Sequence, residues 1–318
     1  MTIVASLDPA TMEILNALEA TRITLRKKRI VHIVICIAGA LIAILGFMST
    51  IPPIGIIGII GLMVGFGLIA ISMTALDQYR LDFKQKLIAQ ALKTIDISLE
   101  IDPKRGLTEN DFIRSLLFNR RPDKYKSEDL VIGSAGKTKF SFSEVQAHYK
   151  EVKNTKNGRQ ESWHEIFCGV IFQADFNKNF DGITVVQPKA FGSSISEWFS
   201  SNIPLFSGSS SRVKLESPEF EKTFITHSSD QIEARYILTP LMMESICALN
   251  DRCKYSISLS FIGNTVNIAF PLSKNYFEAP LFKSLMTAEL MRDDIDLVRH
   301  IYQVIETLDL NTRIWGKN

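Results

Sequence analysis

His164 and Cys168 stand four residues apart in HEIFC. On a helix that spacing would set an imidazole beside a thiol, as zinc requires. The alternation around them reads as a strand, with Ile166, Cys168, Val170, Phe172 and Ala174 on one face. Four strand residues span about 13 Å, too far for one ion with bonds of about 2 Å. DFNKNFDG at 175–182 alternates Asp175, Asn177, Asn179 and Asp181 as a calcium loop might, but its glycine comes eighth rather than sixth and its twelfth residue is Val186, so a turn is expected. HSSD at 227–230 gathers His227, Ser228, Ser229 and Asp230. Catalytic triads are assembled across a fold rather than from neighbours, and a cap on a helix starting near Gln231 is expected. Cys247 and Cys253 have no second pair of ligands near them, and there is no GxSxG, Walker loop or GxGxxG. No catalytic residue, metal ligand or cofactor is expected. Arg235, in DQIEARYILTP, either pairs with a carboxylate or binds a ligand, and His227 is the other candidate ligand contact.

The clearest signal is an absence of charge. From Ile30 to Leu76 the 318-residue chain contains no Asp, Glu, Lys or Arg. As one straight helix this run would be about 70 Å long, roughly twice the hydrocarbon thickness of a bilayer. Pro52 and Pro53 interrupt it, so it divides into spans at about 30–48 and 54–73 joined at STIPPIG. Arg22, Arg26, Lys27, Lys28 and Arg29 precede the first span, and Arg80, Lys84, Lys86 and Lys93 follow the second. The turn carries no charge. Cations stay on the cytoplasmic side, so both termini are expected there and the turn outside. A cleaved signal peptide fits poorly, because the apolar run starts late, is too long and lacks a small-residue cleavage site.

Small residues recur on one face of each span: Gly39, Ala43 and Gly46 in the first, Gly58, Gly61 and Gly65 in the second. Such faces let backbones approach where lipid supplies no hydrophobic push. They could close the hairpin on itself or join copies of the chain in a homo-oligomer. Neither span carries a charged pore or transport residue.

The remainder divides into a juxtamembrane helix over 1–29, opened by Asp8-Pro9, a stalk helix over 77–95, and a domain over 96–318. KTKFSFSEVQAHYKEV and HEIFCGVIFQADF predict a long hairpin turning at Asn157-Gly158, and KYSISLSFIGNTVNIAF a second one turning at Gly263-Asn264. Helices are predicted near 108–118, 218–224, 239–251 and 280–309, with Trp315 sealing the core edge. The irregular mixture gives an α+β class: a two-helix transmembrane hairpin, then a mixed domain with long antiparallel hairpins and a C-terminal helix. Between the two β-hairpins of that domain, the Ser/Gly-rich stretch 191–212 carries Ile195, Trp198, Phe199, Leu205 and Phe206. These side chains either pack on their own domain or meet the bilayer surface or a partner groove.

FSFSEVQAHY, FCGVIFQADFNKNFDGITVV, VKLESPEFEKTF, DQIEARYILTP and LDLNTRIWGK, spread from Phe140 to the C-terminus, together resemble DUF3137, a family of bacterial membrane proteins of unknown function. The resemblance implies a membrane-tethered cytosolic domain and no reaction; together with the hairpin, a multi-pass protein of the bacterial inner membrane is expected. Two readings follow. One is an anchored interaction or scaffold module that meets the lipid bilayer and a protein partner. The other is an enzyme or sensor acting on a lipid or nucleotide near the membrane. A net charge of +2 with no basic stripe argues against a nucleic-acid partner.

Overall fold

The computed structural model describes residues 9–49, 52–155, 158–176, 181–189, 212–287, 292–308 and 310. It is α+β: two long apolar helices, then a large antiparallel sheet and a C-terminal helix. The chain forms two compact units, one of residues 1–91 with 277–294 and one of residues 92–276 with 295–318.

In the first unit, α1 (Pro9–Met48) is one uninterrupted 40-residue helix, so the expected juxtamembrane helix and first span are a single element. Asp8 lies outside the described residues. After the turn, α2 (Pro52–Asp82) starts at the proline pair, which the first helical positions tolerate because their N–H groups have no intrahelical acceptor. A π-helical turn (Phe83–Ile88) then leads into α3 (Ala89–Lys93). Phe83, Leu87, Ile88 and Ala91 are buried there, and so is Leu92, with which the second unit begins. Lys84, four residues before Ile88 on the same face, is buried there as well.

In the second unit the elements run β1 (Glu100–Asp102), α4 (Glu109–Arg114), β2 (Lys124–Ala135), β3 (Thr138–Thr155), β4 (Gly158–Asp175), β5 (Ile183–Pro188), β6 (Arg212–Val213), α5 (Pro218–Thr223), β7 (Phe224–Ser228), α6 (Gln231–Ile237), α7 (Pro240–Asp251), β8 (Ser258–Ile262), β9 (Thr265–Pro271) and α8 (Arg292–Thr307), whose first residues belong to the other unit. The described strands form one antiparallel sheet in the order β1-β2-β3-β4-β9-β8-β5-β7-β6. Both predicted hairpins are present. Thr155 faces Gly158 at the end of one, and Ile262 faces Thr265 in the other, with Gly263 at φ 59° in its turn. Short helices start on oxygen caps: Thr108, Ser217, Asp230 and Thr239 each accept from a backbone N–H of the first turn.

Three expectations need correction. The last helix begins at Arg292 rather than near 280, and residues 280–287 are irregular. Their backbone groups bond to side chains of α1 and α2 instead of to a helical ladder. The helix predicted over 108–118 ends at Arg114, and Leu116 has φ 54°. Finally, the β3–β4 pairing shifts register between Ala147 and His148. The extra residue on β4, Ile166, therefore packs with Phe167 on the face opposite Cys168, against Leu107, Phe112, Leu117, Val145, Ala147 and Ile171. On the other face Phe140 meets Phe172 at 5.8 Å and the edge of Tyr302, from α8, at 6.0 Å.

Candidate membrane hairpin and its polar base

The small residues of α1 and α2 meet backbone to backbone. A methyl group on Gly39 would lie 2.6 Å from the Leu62 nitrogen, one on Gly58 2.6 Å from the Ala43 Cα, and one on Gly46 2.7 Å from the Gly55 Cα. One on Gly65 would strike the Cys36 sulfur at 2.5 Å, and one on Gly61 would make ordinary contact with the Gly39 Cα at 3.6 Å. The small-residue face of each helix thus meets that of the other within the chain. Around it the apolar side chains point outward. Val34, Ile37, Leu45, Ile57, Met63 and Ile71 are each more than half exposed. Only 11% of the most apolar stretch of the first helix and 17% of that of the second is buried, unlike a helix at the centre of a water-soluble core.

The flanking cations divide into two kinds. Arg26, Lys27 and Lys28 are exposed, and Arg29 donates to the Met73 sulfur at 3.6 Å. Arg80 pairs with Asp77 at 3.3 Å. Lys84 is different: it is 6% exposed and lies 3.5 Å from Glu278. Arg22 is also buried, at 3%. It occupies an inward position of the repeat Leu15, Leu18, Arg22, Leu25, where a hydrophobe would be expected.

Arg22 stays charged because its partners are supplied locally and from far along the chain. Its guanidinium forks onto Glu19 at 2.7 and 2.8 Å and donates to the Leu281 carbonyl at 2.9 Å. Glu19 in turn accepts from the Leu285 N–H and the Ser284 hydroxyl, both at 2.9 Å. The Arg22 contact holds the Glu19 carboxyl down at about 2, while the Arg22 guanidinium is itself pushed up by Glu19. From α2, the Tyr79 hydroxyl donates to the Pro280 carbonyl at 2.9 Å, and burial raises its pKa to about 12. Sequence reasoning missed this base. The one available signal was Glu19 three residues before an arginine on the apolar stripe; residues 278–285 gave none.

The candidate ligand contacts, His227 and Arg235, sit in different elements of the second unit, β7 and α6. His227 is buried in β7 opposite Val185 and Arg212, and burial lowers its pKa. Arg235 is exposed and donates to the carbonyls of Gln231, at 3.3 Å, and Lys214, at 3.5 Å. Ser228 bonds to Thr184 and to the carbonyls of Ile183 and Asp230, while Asp230 caps α6. His164 and Cys168 sit in β4, where burial raises the Cys168 thiol. Ile195, Trp198, Phe199, Leu205 and Phe206 lie outside the described residues, as do Trp315 and residues 177–180 of DFNKNFDG. An open concavity of about 630 Å³ lies over the sheet, lined in part by Glu100, Lys139, Ser141, Gln173, Asp175 and Thr265. Behind Gln173 a side-chain ladder runs across three strands: Gln173 donates to Asn267 at 2.8 Å, Asn267 to Ser260 at 3.2 Å, and Ser260 to the Ser115 carbonyl at 2.5 Å. Neither His227 nor Arg235 lines this concavity.

Residues 165–310, from mid-β4 to the end of the described chain, match a family model. That family is DUF3137, described as a protein of unknown function. The DUF3137 match is narrower than the resemblance read from the sequence. FSFSEVQAHY precedes it and most of LDLNTRIWGK follows it, whereas VKLESPEFEKTF and DQIEARYILTP lie inside. No curated protein matches the chain. Among solved structures, that of the mycobacterial trehalose monomycolate transport factor A, TtfA, is similar at a TM-score of 0.36 and 9% identity, over 69% of this chain and 92% of that one.

Proposed function

We propose that α1 and α2 cross a bacterial inner membrane as a hairpin, over about 30–48 and 54–73. The stretch before them, the stalk over 77–95 and the domain over 96–318 then lie on the cytoplasmic side. The observation that carries this reading is the outward apolar surface of the helix pair, continuous through a stretch without charge and bounded by exposed Arg26, Lys27 and Lys28. To test it, single cysteines at Ser49 and Lys27 are introduced into a chain whose native cysteines are replaced by serine, and intact cells are treated with a membrane-impermeant maleimide. Ser49→Cys should label at once, and Lys27→Cys only after permeabilisation. Equal labelling of both, or release of the chain from membranes by alkaline carbonate, would remove the reading.

The sheet unit is proposed as an interaction module. Support comes from a ribbon that outruns its neighbours: β2 pairs with β3 only as far as His148, and β9 with β4 only from Gly169. Tyr149–Thr155 and Gly158–His164 therefore pair with each other alone. Their outer surface exposes Val152 and Trp163, the latter 53% exposed with Lys150 Nζ 6.0 Å above its ring. Aromatic side chains so placed are typical anchors for a protein partner. Trp163→Ala should leave the melting temperature within about 2 °C of wild type, as surface changes do, and abolish the main crosslinked product in cells. An unchanged crosslinking pattern would exclude the ribbon as the contact.

A further inference from the structure

We propose that residues 278–285 act as a latch, fastening the polar base of α1 to that of α2 and releasing the two helices at that end when it leaves. The inference does not depend on whether the hairpin spans a bilayer.

The latch is held by both helices, and by different halves. Its first half goes to the second helix: Pro280 through its carbonyl to Tyr79, and Glu278 to Lys84 in the π-helical turn. Its second half goes to α1: Leu281 through its carbonyl to Arg22, and Ser284 and Leu285 to Glu19. Three of these contacts, at 280, 281 and 285, read main-chain groups, so the base recognises an irregular strand of peptide more than a particular side chain. Leu285 and Phe277 anchor its ends, each 1% exposed, and the Phe277 N–H is tied to Asp294 at 2.9 Å.

The base needs such a fastening because the small-residue contacts do not reach it. The contacts below 3 Å run from Cys36–Gly65 to Gly46–Gly55. Nearer the polar end the buried residues are Leu15, Leu18, Leu25, Leu76, Tyr79 and Phe83, which cannot give backbone-to-backbone packing. Interaxial distance follows the size of the contact side chains. A pair of helices locked through glycine at one half and spaced by leucine and aromatic residues at the other needs a third element to define the wider end. Residues 278–285 supply polar partners there to both helices, to Glu19 and Arg22 of the first and to Tyr79 of the second.

The test uses the full chain in detergent micelles, with native cysteines replaced by serine and spin labels at Ala20 and Gln78, both exposed. The latch is altered from its own side, leaving both helices intact, by Ser284→Ala with Leu285→Pro, which removes the hydroxyl and the N–H that Glu19 accepts. The expected result is a shift of the interhelical distance to longer values with a broadened distribution. A synthetic peptide of residues 277–287 added to this variant should restore the narrow wild-type distribution, and it should not change the wild type. The proposal is overturned if the variant keeps the wild-type distribution. It is overturned equally if the broadened variant ignores the peptide, because the change then reports misfolding rather than an emptied site.

Discussion

Gly58→Leu should pull the two apolar helices apart. A single methyl at this position already meets the Ala43 Cα at 2.6 Å, and the neighbouring atom is backbone, so it cannot rotate away. One surplus methylene in a packed core costs about 1–3 kcal/mol; a leucine adds an entire branched side chain where no methyl fits. In lipid there is no compensating hydrophobic gain from contact, since the tails are as apolar as the side chain. The cost therefore falls on the close approach that holds the pair. Gly67→Leu is the matched control: it adds the same apolar volume where no atom lies within 4 Å of the new Cβ. Gly61→Ala, at 3.6 Å from the Gly39 Cα, should be tolerated. With fluorophores on cysteines at Val34 and Phe66, energy transfer should fall sharply for Gly58→Leu and stay at the wild-type level for the other two. Retained transfer in Gly58→Leu would mean that the contact between the helices does not depend on this face.

What the sequence disclosed follows the range of the interactions involved. Pro52 and Pro53 place the turn by local sterics, Thr239-Pro240 starts α7 by a cap and a fixed φ, and Gly263-Asn264 closes the second hairpin by a two-residue turn. Each acts over a few residues, so each was readable. The bulge at Ile166 was not, because a one-residue shift against β3 leaves the apolar count of β4 unchanged while moving Ile166 to the other face. Residues 280–287 were misread as helix for a related reason. Leu281, Ser284 and Leu285 bond to partners 259, 265 and 266 positions away, and no local pattern reports such a contact. The misreading of Arg22 is more instructive. Counted with the flanking cations it looked like a topology signal, yet its place on the Leu15–Leu18–Leu25 stripe marked it as inward-facing, and an inward arginine demands an acid and further acceptors. Of the two ligand candidates, Arg235 is exposed and donates to two carbonyls, and His227 pairs within the sheet in β7.

Glu19→Ala should therefore be far more damaging than any exposed charge substitution on α1. Its removal leaves Arg22, whose side chain is 4% exposed, without its bidentate partner, and frees the Leu285 N–H and Ser284 hydroxyl at the same time. Breaking a buried pair in this way costs about 3–5 kcal/mol, because the remaining charge keeps its desolvation without compensation. The double variant Glu19→Leu with Arg22→Met should recover much of that loss, since it removes both charges and keeps apolar volume. Acid gives an independent reading of the same pair. The Glu19 carboxyl is held at about 2, against 4.5 when unfolded, so the folded state binds its proton less readily than the unfolded one. Its contribution is complete above pH 4.5 and is lost as the pH falls from there toward 2; the shift corresponds to about 3 kcal/mol. Thermal unfolding of the full chain in micelles, followed from pH 7 to 3, should show a fall in wild type below pH 4.5 that is visibly shallower in Glu19→Gln. Parallel curves would mean that Glu19 is not the carboxylate that carries the acid sensitivity. Glu19→Ala should speed amide exchange at Leu285, because it removes the oxygen that accepts from that N–H, while leaving exchange in β3 and β4 unchanged. A variant that loses acid sensitivity but keeps Leu285 protected would separate the ion pair from the strand it holds, and the pair would then stabilise α1 alone.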